Sequence, residues 1–407
     1  MHNKVNNAID YFWIGFVVYS LIFTLYTTEA VSFTICGSLQ IFGLLLMVPS
    51  AILLMEWEFE SSYLKYTFVI YIFWLFTVII RGFSFDFKFI KDMLFDVRFG
   101  IFLYLVPFIL LFPRNLLYYK KAFNVIVIFG IAYIVYDLLF FRDLLSFGDN
   151  VRSQGIAEYF SQSLSLPCGL LLLTYIYHSK KRRLLALSVM VITLIIAIFR
   201  ARRGLAFMSV SILLFSYFIY YNTNKKKTVK FLFSIILIAF MFLLTAKIYS
   251  NYRNSFFGYM SERMYQDTRS GVEVYFYHDM NYVDWIFGKG INGQYYCPGI
   301  DQDSTTGYRG VIETGYLQII LKGGLISLGL LVIIAIPAIF KGLFYSKNLL
   351  SKAAGIWILL FLIDSYPATI TTFTMHYLLV WISIGICYSK NIRDMSESTV
   401  TSLLYKR

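Results

Sequence analysis

Three stretches of the chain bring together side chains capable of chemistry. The first is FRARRG at 199–204, where Arg200, Arg202 and Arg203 stand between two apolar runs. A guanidinium is permanently charged and forks onto phosphate oxygens in bidentate fashion. Three so close together point to an anionic ligand held at an apolar boundary, with Arg203, just before Gly204, the first candidate. The competing reading is a set of arginines that snorkel to lipid head groups. The second stretch, ETGYLQIILKGG at 313–324, places Glu313 where a polar segment turns into a helix. A carboxylate there can offset the helix dipole by about 0.3–1 kcal/mol, or it can take a proton from a substrate as a general base. Lys322 follows on the same helix and is expected to face the interior, and Gly323 and Gly324 would let a neighbouring helix approach closely. The third stretch is the polar segment 250–312. It carries Arg253, Arg263, Arg269, Lys289 and Arg309 among carboxylates such as Glu262, Asp267, Glu273 and Asp284, with tyrosines and Trp285 interleaved. Ring faces beside carboxylates and amides suit carbohydrate, whose C–H faces stack and whose hydroxyls take polar partners. The alternative is a solvated loop whose aromatics mark a membrane interface.

Other patterns carry no chemistry. GKGING at 288–293 fits GxGxxG, but QYYCPG follows it. A dinucleotide loop needs strand, turn and helix in that order, so a tight turn is the reading. His278 and His376 lack metal-ligand spacing and are read as structural. No nucleophile elbow and no phosphate-cradling Walker loop is present. Cys36, Cys168 and Cys387 lie in apolar runs and Cys297 stands alone in the polar segment, so neither a disulfide nor a metal site is expected. The chain is expected to use no metal and no organic cofactor.

Helices in a bilayer must position these residues. The 407 residues are 58% hydrophobic and 14% charged, with a mean hydropathy of +0.67; a soluble domain carries about 25% charged residues. At about 20 apolar residues per spanning helix, that content permits about twelve spans. Apolar runs fall near 11–28, 31–55, 66–83, 97–112, 122–141, 161–178, 184–199, 205–221, 230–249, 313–339, 353–367 and 372–389. The first is long for a signal-peptide core and lacks a small-residue cleavage pattern, so it is read as a retained helix. The net charge of +13 would suggest nucleic acid on a soluble chain. Here the basic residues cluster between apolar runs and read as a topology signal. With the N-terminus inside, the inner segments hold Lys120, Lys121, the KKRR of 180–183 and Lys225 to Lys227, and reach about twice the Lys and Arg density of the outer ones. The expectation is an all-α polytopic membrane protein of about 12 transmembrane helices with both termini cytoplasmic. Helices 1–9 would occupy 1–249, a long periplasmic loop 250–312, helices 10–12 313–389, and a cytoplasmic tail 390–407. The arginines of 200–203 then lie on the side where positive charge is normally avoided.

Arg203-Gly204 on the outer side, Arg269 with FGKG at 287–290 in a long late loop, and the ETGYLQIILKGG helix with its glycine pair together resemble the O-antigen polymerase and O-antigen ligase superfamily. The likeness covers the architecture of the whole chain, and its residue-specific part is confined to those three motifs. Ligases usually head the helix with His; Glu313 stands here, which looks more like a polymerase. The resemblance implies a GT-C-like, metal-independent inverting glycosyltransferase in the bacterial inner membrane, with its active site facing the periplasm. The donor would be a glycan on undecaprenyl pyrophosphate, and the acceptor the sugar of an incoming lipid-linked repeat unit. Arg203 and Arg269 match the family's arginines and would stabilise the diphosphate charge in place of a metal. Glu313 would deprotonate the acceptor hydroxyl, an effect typically of about 10²–10⁴-fold. Arg200, Arg253, Arg309, Lys322 and Tyr316 would bind substrate. Partners implied are the undecaprenyl-pyrophosphate-linked oligosaccharide, membrane lipids and a chain-length regulator, with no nucleic acid. Two alternatives stay open. One is a flippase or transporter of lipid-linked oligosaccharide, for which the mid-span charges are Lys322, Asp137 and Asp364. The other is an O-antigen ligase.

Overall fold

The computed structural model describes residues 2–144, 151–200, 202–223, 270–298, 306–366 and 371–405. The chain is an all-α polytopic membrane protein. Helix α1 (His2–Tyr26) is followed by α2 (Phe33–Leu54), and the two are brought together by glycines. A Cβ on Gly15 would lie 2.5 Å from the Gly43 carbonyl oxygen, and one on Gly43 2.9 Å from that of Gly15. Such close backbone contact is how helices associate in lipid, where no hydrophobic drive pushes them together. Next come α3 (Ser62–Gly82), a short rim helix α4 (Phe87–Phe95), and α5 (Ile101–Leu105), which tightens into a 3-10 stretch over Val106–Leu111. Helix α6 (Leu116–Leu139) leads through α7 (Phe141–Leu144) to α8 (Val151–Phe160), a π-turn at Ser161–Ser165 and α9 (Cys168–Leu173). Helices α10 (Lys180–Phe199) and α11 (Arg203–Thr223) follow. Ser61, Asn115 and Ser179 start α3, α6 and α10, their side chains accepting backbone N–H groups of the first turns.

Within the polar segment, α12 (Ser270–Asp279) and α13 (Tyr282–Phe287) precede a two-residue hairpin of β1 (Tyr295–Tyr296) and β2 (Tyr308–Arg309), in which Tyr295 faces Arg309. Then come α14 (Gly315–Phe344), α15 (Leu349–Asp364), α16 (Met375–Tyr388), α17 (Lys390–Asp394) and α18 (Glu397–Tyr405). Among the described residues, eight helical stretches are long and apolar enough to cross a membrane: most of α1, then α2, α3, α6, Gly155–Leu173, α10, most of α11, and α14. The runs expected at 97–112, 353–367 and 372–389 are helical but shorter, and the run at 230–249 lies outside the described residues. Helix α16 shows why length alone misleads. All of its residues are buried, so it is a central post of the bundle rather than a lipid-facing wall.

The helix ends gather in two layers. In one, Lys121 pairs with Asp10, and the Glu60 carboxylate accepts the N–H groups of Lys390 and Asn391. The Asn348 amide there donates to the carbonyls of Ile392 and Met395, and Glu397 accepts the Leu349 N–H. In the other layer, Gln40 reaches the Phe95 carbonyl, the Phe373 N–H donates to Val97, and the Gly315 N–H donates to Ser365. The start of α1 and helix α18 both belong to the first layer. The glycine motif at 323–324, the GKGING turn and the arginines all belong to the second.

Candidate functional site

Thr314 is the N-cap of α14, and Glu313 stands exposed just before it. The helix then breaks at Gly324, which has φ 67° and ψ −177°, a conformation essentially reserved to glycine. A break releases backbone carbonyls that hydrocarbon cannot hydrate, and here neighbours take them up. The Leu321 carbonyl accepts the Lys289 N–H at 2.7 Å and that of Lys322 accepts the Gly290 N–H at 2.9 Å. The Gly323 carbonyl accepts the Trp74 indole N–H at 3.0 Å. The expected close approach of a neighbouring helix is met by the end of α13, whose Ile286 and Phe287 backbone lies against Gly324, and by α3, whose Val78 side chain lies against Gly323; the GKGING turn that follows α13 packs there as well. A Cβ on Gly288 would lie 2.5 Å from the Gly323 and Gly324 nitrogens, and one on Gly324 2.0 Å from the Ile286 carbonyl oxygen. The turn is also tied to the end of α3. The Ile291 N–H donates to Val78 at 3.0 Å, and the Arg81 guanidinium donates to the carbonyls of Phe287 and Gly288 at 2.6 and 3.1 Å.

Beside the break lies a cavity of about 60 Å³, lined by α3, α14, the turn before α5 and the start of α16. Lys322 lines it, 9% exposed, and its Nζ donates to the Gly293 carbonyl at 2.8 Å. Arg98 lines it too. Its Nε and Nη2 bond the Asp96 carboxylate at 3.2 and 2.9 Å, its Nη1 donates to the Tyr159 hydroxyl, and the Tyr159 ring centre lies 5.3 Å from its guanidinium carbon. Burial works against the Arg98 charge, but the Asp96 carboxylate and Tyr159 outweigh it and hold the guanidinium protonated more firmly than usual. Gln318, Tyr71, Tyr104, Ser327, Thr371 and Tyr377 complete the polar lining among the described residues, none of which brings an acidic side chain to the cavity wall. The charge of Arg98 is shared with Asp96, so Lys322, whose Nζ meets the Gly293 carbonyl, supplies most of the positive field that favours an anion in this space.

The surface above is organised by the hairpin. Gln318 accepts the Ile312 N–H at 2.8 Å and donates to the Gly310 carbonyl at 3.3 Å, so the loop entering α14 is held on the cavity's own wall. The Tyr295 hydroxyl donates to the Val311 carbonyl at 3.0 Å. Burial raises the Tyr295 phenol above its ordinary range, nearby Arg309 works against the rise, and Glu313 adds to it. Glu313 and Arg309 thus share one neighbourhood with Tyr295, above Lys322. The arginines of 199–204 lie at the next junction. Arg200 caps the end of α10 and is buried, and Arg203 opens α11 and is exposed. Arg202 pairs with Glu158 at 3.5 Å. Glu158 adjoins Tyr159, the partner of Arg98, so consecutive residues of α8 link the two basic groups.

Of the residues singled out from the sequence, the structure brings Glu313, Arg309 and Lys322 together at the head of α14. It places Arg200 and Arg203 at the adjoining junction. Tyr316 is turned elsewhere, its hydroxyl donating to the Leu362 carbonyl of α15. Arg253 and Arg269 lie outside the described residues. Sequence reading missed Arg98, Gln318 and Trp74. The signal for Arg98 was present: on the expected topology it stands at the outer end of the run 97–112, and an arginine there breaks the charge rule as those at 200–203 do. Comparison with protein-family models, with curated proteins and with solved structures returned no match.

Proposed function

We propose that the chain is a polysaccharide polymerase that moves a growing glycan from a polyisoprenoid diphosphate onto the sugar of an incoming lipid-linked repeat unit. The observation that carries this reading is the cavity of Arg98 and Lys322, with no lining acid among the described residues, beneath the hairpin strand that ends at Arg309 and the following turn that holds Glu313. The helix-end layer around Asp10 and Glu60 also holds Lys120, Lys121 and the KKRR of 180–183. By the positive-inside rule that layer is cytoplasmic, which turns the cavity's layer to the periplasm of the inner membrane. Rings of Tyr220 and Tyr175 meet in the basic layer, whereas Ser270 begins the outer segment. A crossing by the run 230–249 would join the two. Counted with the eight long stretches and the shorter α5, α15 and α16, it gives twelve spans in a GT-C-like arrangement.

In this mechanism Arg98 and Lys322 hold the donor's diphosphate, and Arg200, Arg202 and Arg203, at the junction that Glu158 and Tyr159 tie to Arg98, take the approaching head group. Glu313 accepts the proton of the acceptor hydroxyl. The freed oxygen attacks the anomeric carbon, the carbon–oxygen bond to the diphosphate breaks, and the lipid diphosphate leaves with the electron pair. Configuration inverts because attack and departure are on opposite faces. Fixed guanidinium and ammonium groups stabilise the charge that grows on the leaving group, and the lipid anchors hold both substrates in line. The test is elongation of a lipid-linked repeat unit by purified protein in detergent. The wild type should produce a ladder, and Glu313→Gln, Arg98→Ala and Arg269→Ala should leave single units. Wild-type polymer length in all three variants sinks the mechanism.

One observation favours a second reading. A helix broken inside the membrane with a lysine beside the break is also a transporter's device, and Asp137 and Asp364 are buried carboxylates. A transporter would carry the lipid-linked sugar across a vesicle bilayer without lengthening it, so measuring both products in one preparation separates the two.

A further inference from the structure

A second gathering of polar side chains lies where α6, α10 and the π-turn at Ser161–Ser165 pack together. The Tyr133 hydroxyl of α6 is within reach of the Asp137 carboxylate one turn on, of the Ser161 hydroxyl of the π-turn and of the Thr193 hydroxyl of α10. Tyr133, Ser161 and Thr193 have no exposed surface and Asp137 is 8% exposed, so bulk water does not serve them. Yet among the described residues neither Asp137 oxygen, nor the Tyr133 or Ser161 hydroxyl, finds a hydrogen-bond partner. Thr193 gives its proton to the Val189 carbonyl at 2.8 Å, which leaves the lone pairs of its oxygen to face the cluster.

Buried polar groups are normally satisfied, and each exception asks for a cause. An ionised carboxylate without a counter-charge is costly inside a bilayer, and no basic side chain among the described residues bonds Asp137. A proton would remove the charge but supply a single donor to four converging oxygens. A metal cation answers both needs. A hard cation such as calcium lies about 2.3–2.6 Å from several oxygens at once, which spaces its ligands wider than a hydrogen bond. Sodium has a similar radius, and one carboxylate balances one positive charge, so the charge selects sodium over calcium. The π-turn fits this reading, since such turns inside helices are frequent at functional sites.

We propose that Asp137, Tyr133, Ser161 and Thr193 bind a sodium ion between α6, α10 and the π-turn. The site is separate from the Arg98–Lys322 cavity and rests on neither reading of the chain's activity. Its effect would reach that cavity through α8. Glu158, which pairs with Arg202, and Tyr159, which accepts from Arg98, lie just before Ser161. The Gln162 amide of the same turn donates to Glu158 at 3.2 Å. An ion that fixes Ser161 therefore fixes the segment that presents both partners. The experiment is thermal unfolding of the full chain in detergent at pH 8, titrated with sodium chloride against choline chloride, with hydrogen exchange of the 155–165 peptide read alongside. Sodium should raise the melting temperature saturably and slow exchange in that peptide, and choline should do neither. Asp137→Asn should abolish both responses. Thr193→Val keeps the shape and removes one oxygen, and should raise the half-saturating sodium concentration about tenfold. Asp364→Asn, at another buried carboxylate, should leave the sodium response intact. Equal responses to sodium and choline mean that water or a proton fills the gap and overturn the proposal, as does a sodium response that survives Asp137→Asn. Should Asp137→Asn fail to fold, binding of radioactive sodium to the wild type and to Thr193→Val decides: no binding, or equal affinity in the two, overturns the site.

Discussion

Arg98 and Glu313 are the side chains on which the chemistry turns, and they differ in what their loss should do. Arg98 forks onto Asp96 and Tyr159, so both its charge and its shape are engaged. Arg98→Lys keeps the charge and loses the fork. Hydrogen bonds involving a charged group contribute about 1.5–3 kcal/mol, so losing those to Asp96 and Tyr159 unfixes the cation's position, and the Kd for a polyisoprenoid diphosphate should rise by about tenfold or more, as read by titration in detergent. Unchanged affinity would remove Arg98 from the site. Glu313 is exposed, so Glu313→Gln should lower kcat by about 10²–10⁴-fold while the melting temperature stays put. A loss of stability with an intact rate would mean that Glu313 serves the helix terminus alone. Glu313, Arg309 and Lys322 were legible in the sequence because their motif brackets one helix entry. Arg98 offered only its misplaced charge; its role was not legible, because Tyr159, which completes its grip, comes from a helix far along the chain.

The decisive element is the broken helix α14. Gly324 combines a positive φ with an Ile286 carbonyl 2.0 Å from any added Cβ. Gly324→Ala should destabilise the chain by at least about 3 kcal/mol, or prevent its accumulation in the membrane. Gly329 on the same helix meets nothing within 4 Å, so Gly329→Ala should be neutral or stabilise by up to about 1 kcal/mol. Thermal unfolding of both variants in detergent checks the pair, and equal melting temperatures would show that the break is dispensable. Trp74 tests the same joint from outside. Its indole N–H serves the Gly323 carbonyl and the Ser327 hydroxyl, so Trp74→Phe leaves a buried carbonyl short of a donor and should cost about 1–3 kcal/mol. The glycine pair was visible in the sequence and so was the GKGING turn. That one closes onto the other was not, because hydrophobic patterning reports which face of a helix is apolar and nothing about which loop will reach its backbone.

The molecule as a whole is a bundle with a basic layer at one end and the cavity at the other. Accessibility labelling of the intact cell tests its orientation directly. All four native cysteines are buried, which keeps the background low. Tyr282 is 80% exposed in the polar segment, and Lys347 carries a 69% exposed side chain in the opposite layer. Tyr282→Cys should react with an impermeant maleimide in cells whose outer membrane has been opened, and Lys347→Cys should react after the inner membrane is breached. The reverse pattern would put the cavity in the cytosol and end the periplasmic mechanism.

Membrane residence, helical class and the approximate place of most spans could be read from the order of residues, because each depends on a local property: an apolar run long enough to satisfy its own backbone in lipid. The cationic candidates could be listed the same way, since charge in an apolar context is conspicuous wherever it occurs. Their assembly could not. The carbonyls freed at Gly324 find donors on Trp74, Lys289 and Gly290, and Arg98 is completed by Tyr159. Each of these is a contact between segments distant in sequence, formed because a buried polar group or an unfilled space must be matched by whatever the packing of the whole bundle brings to it.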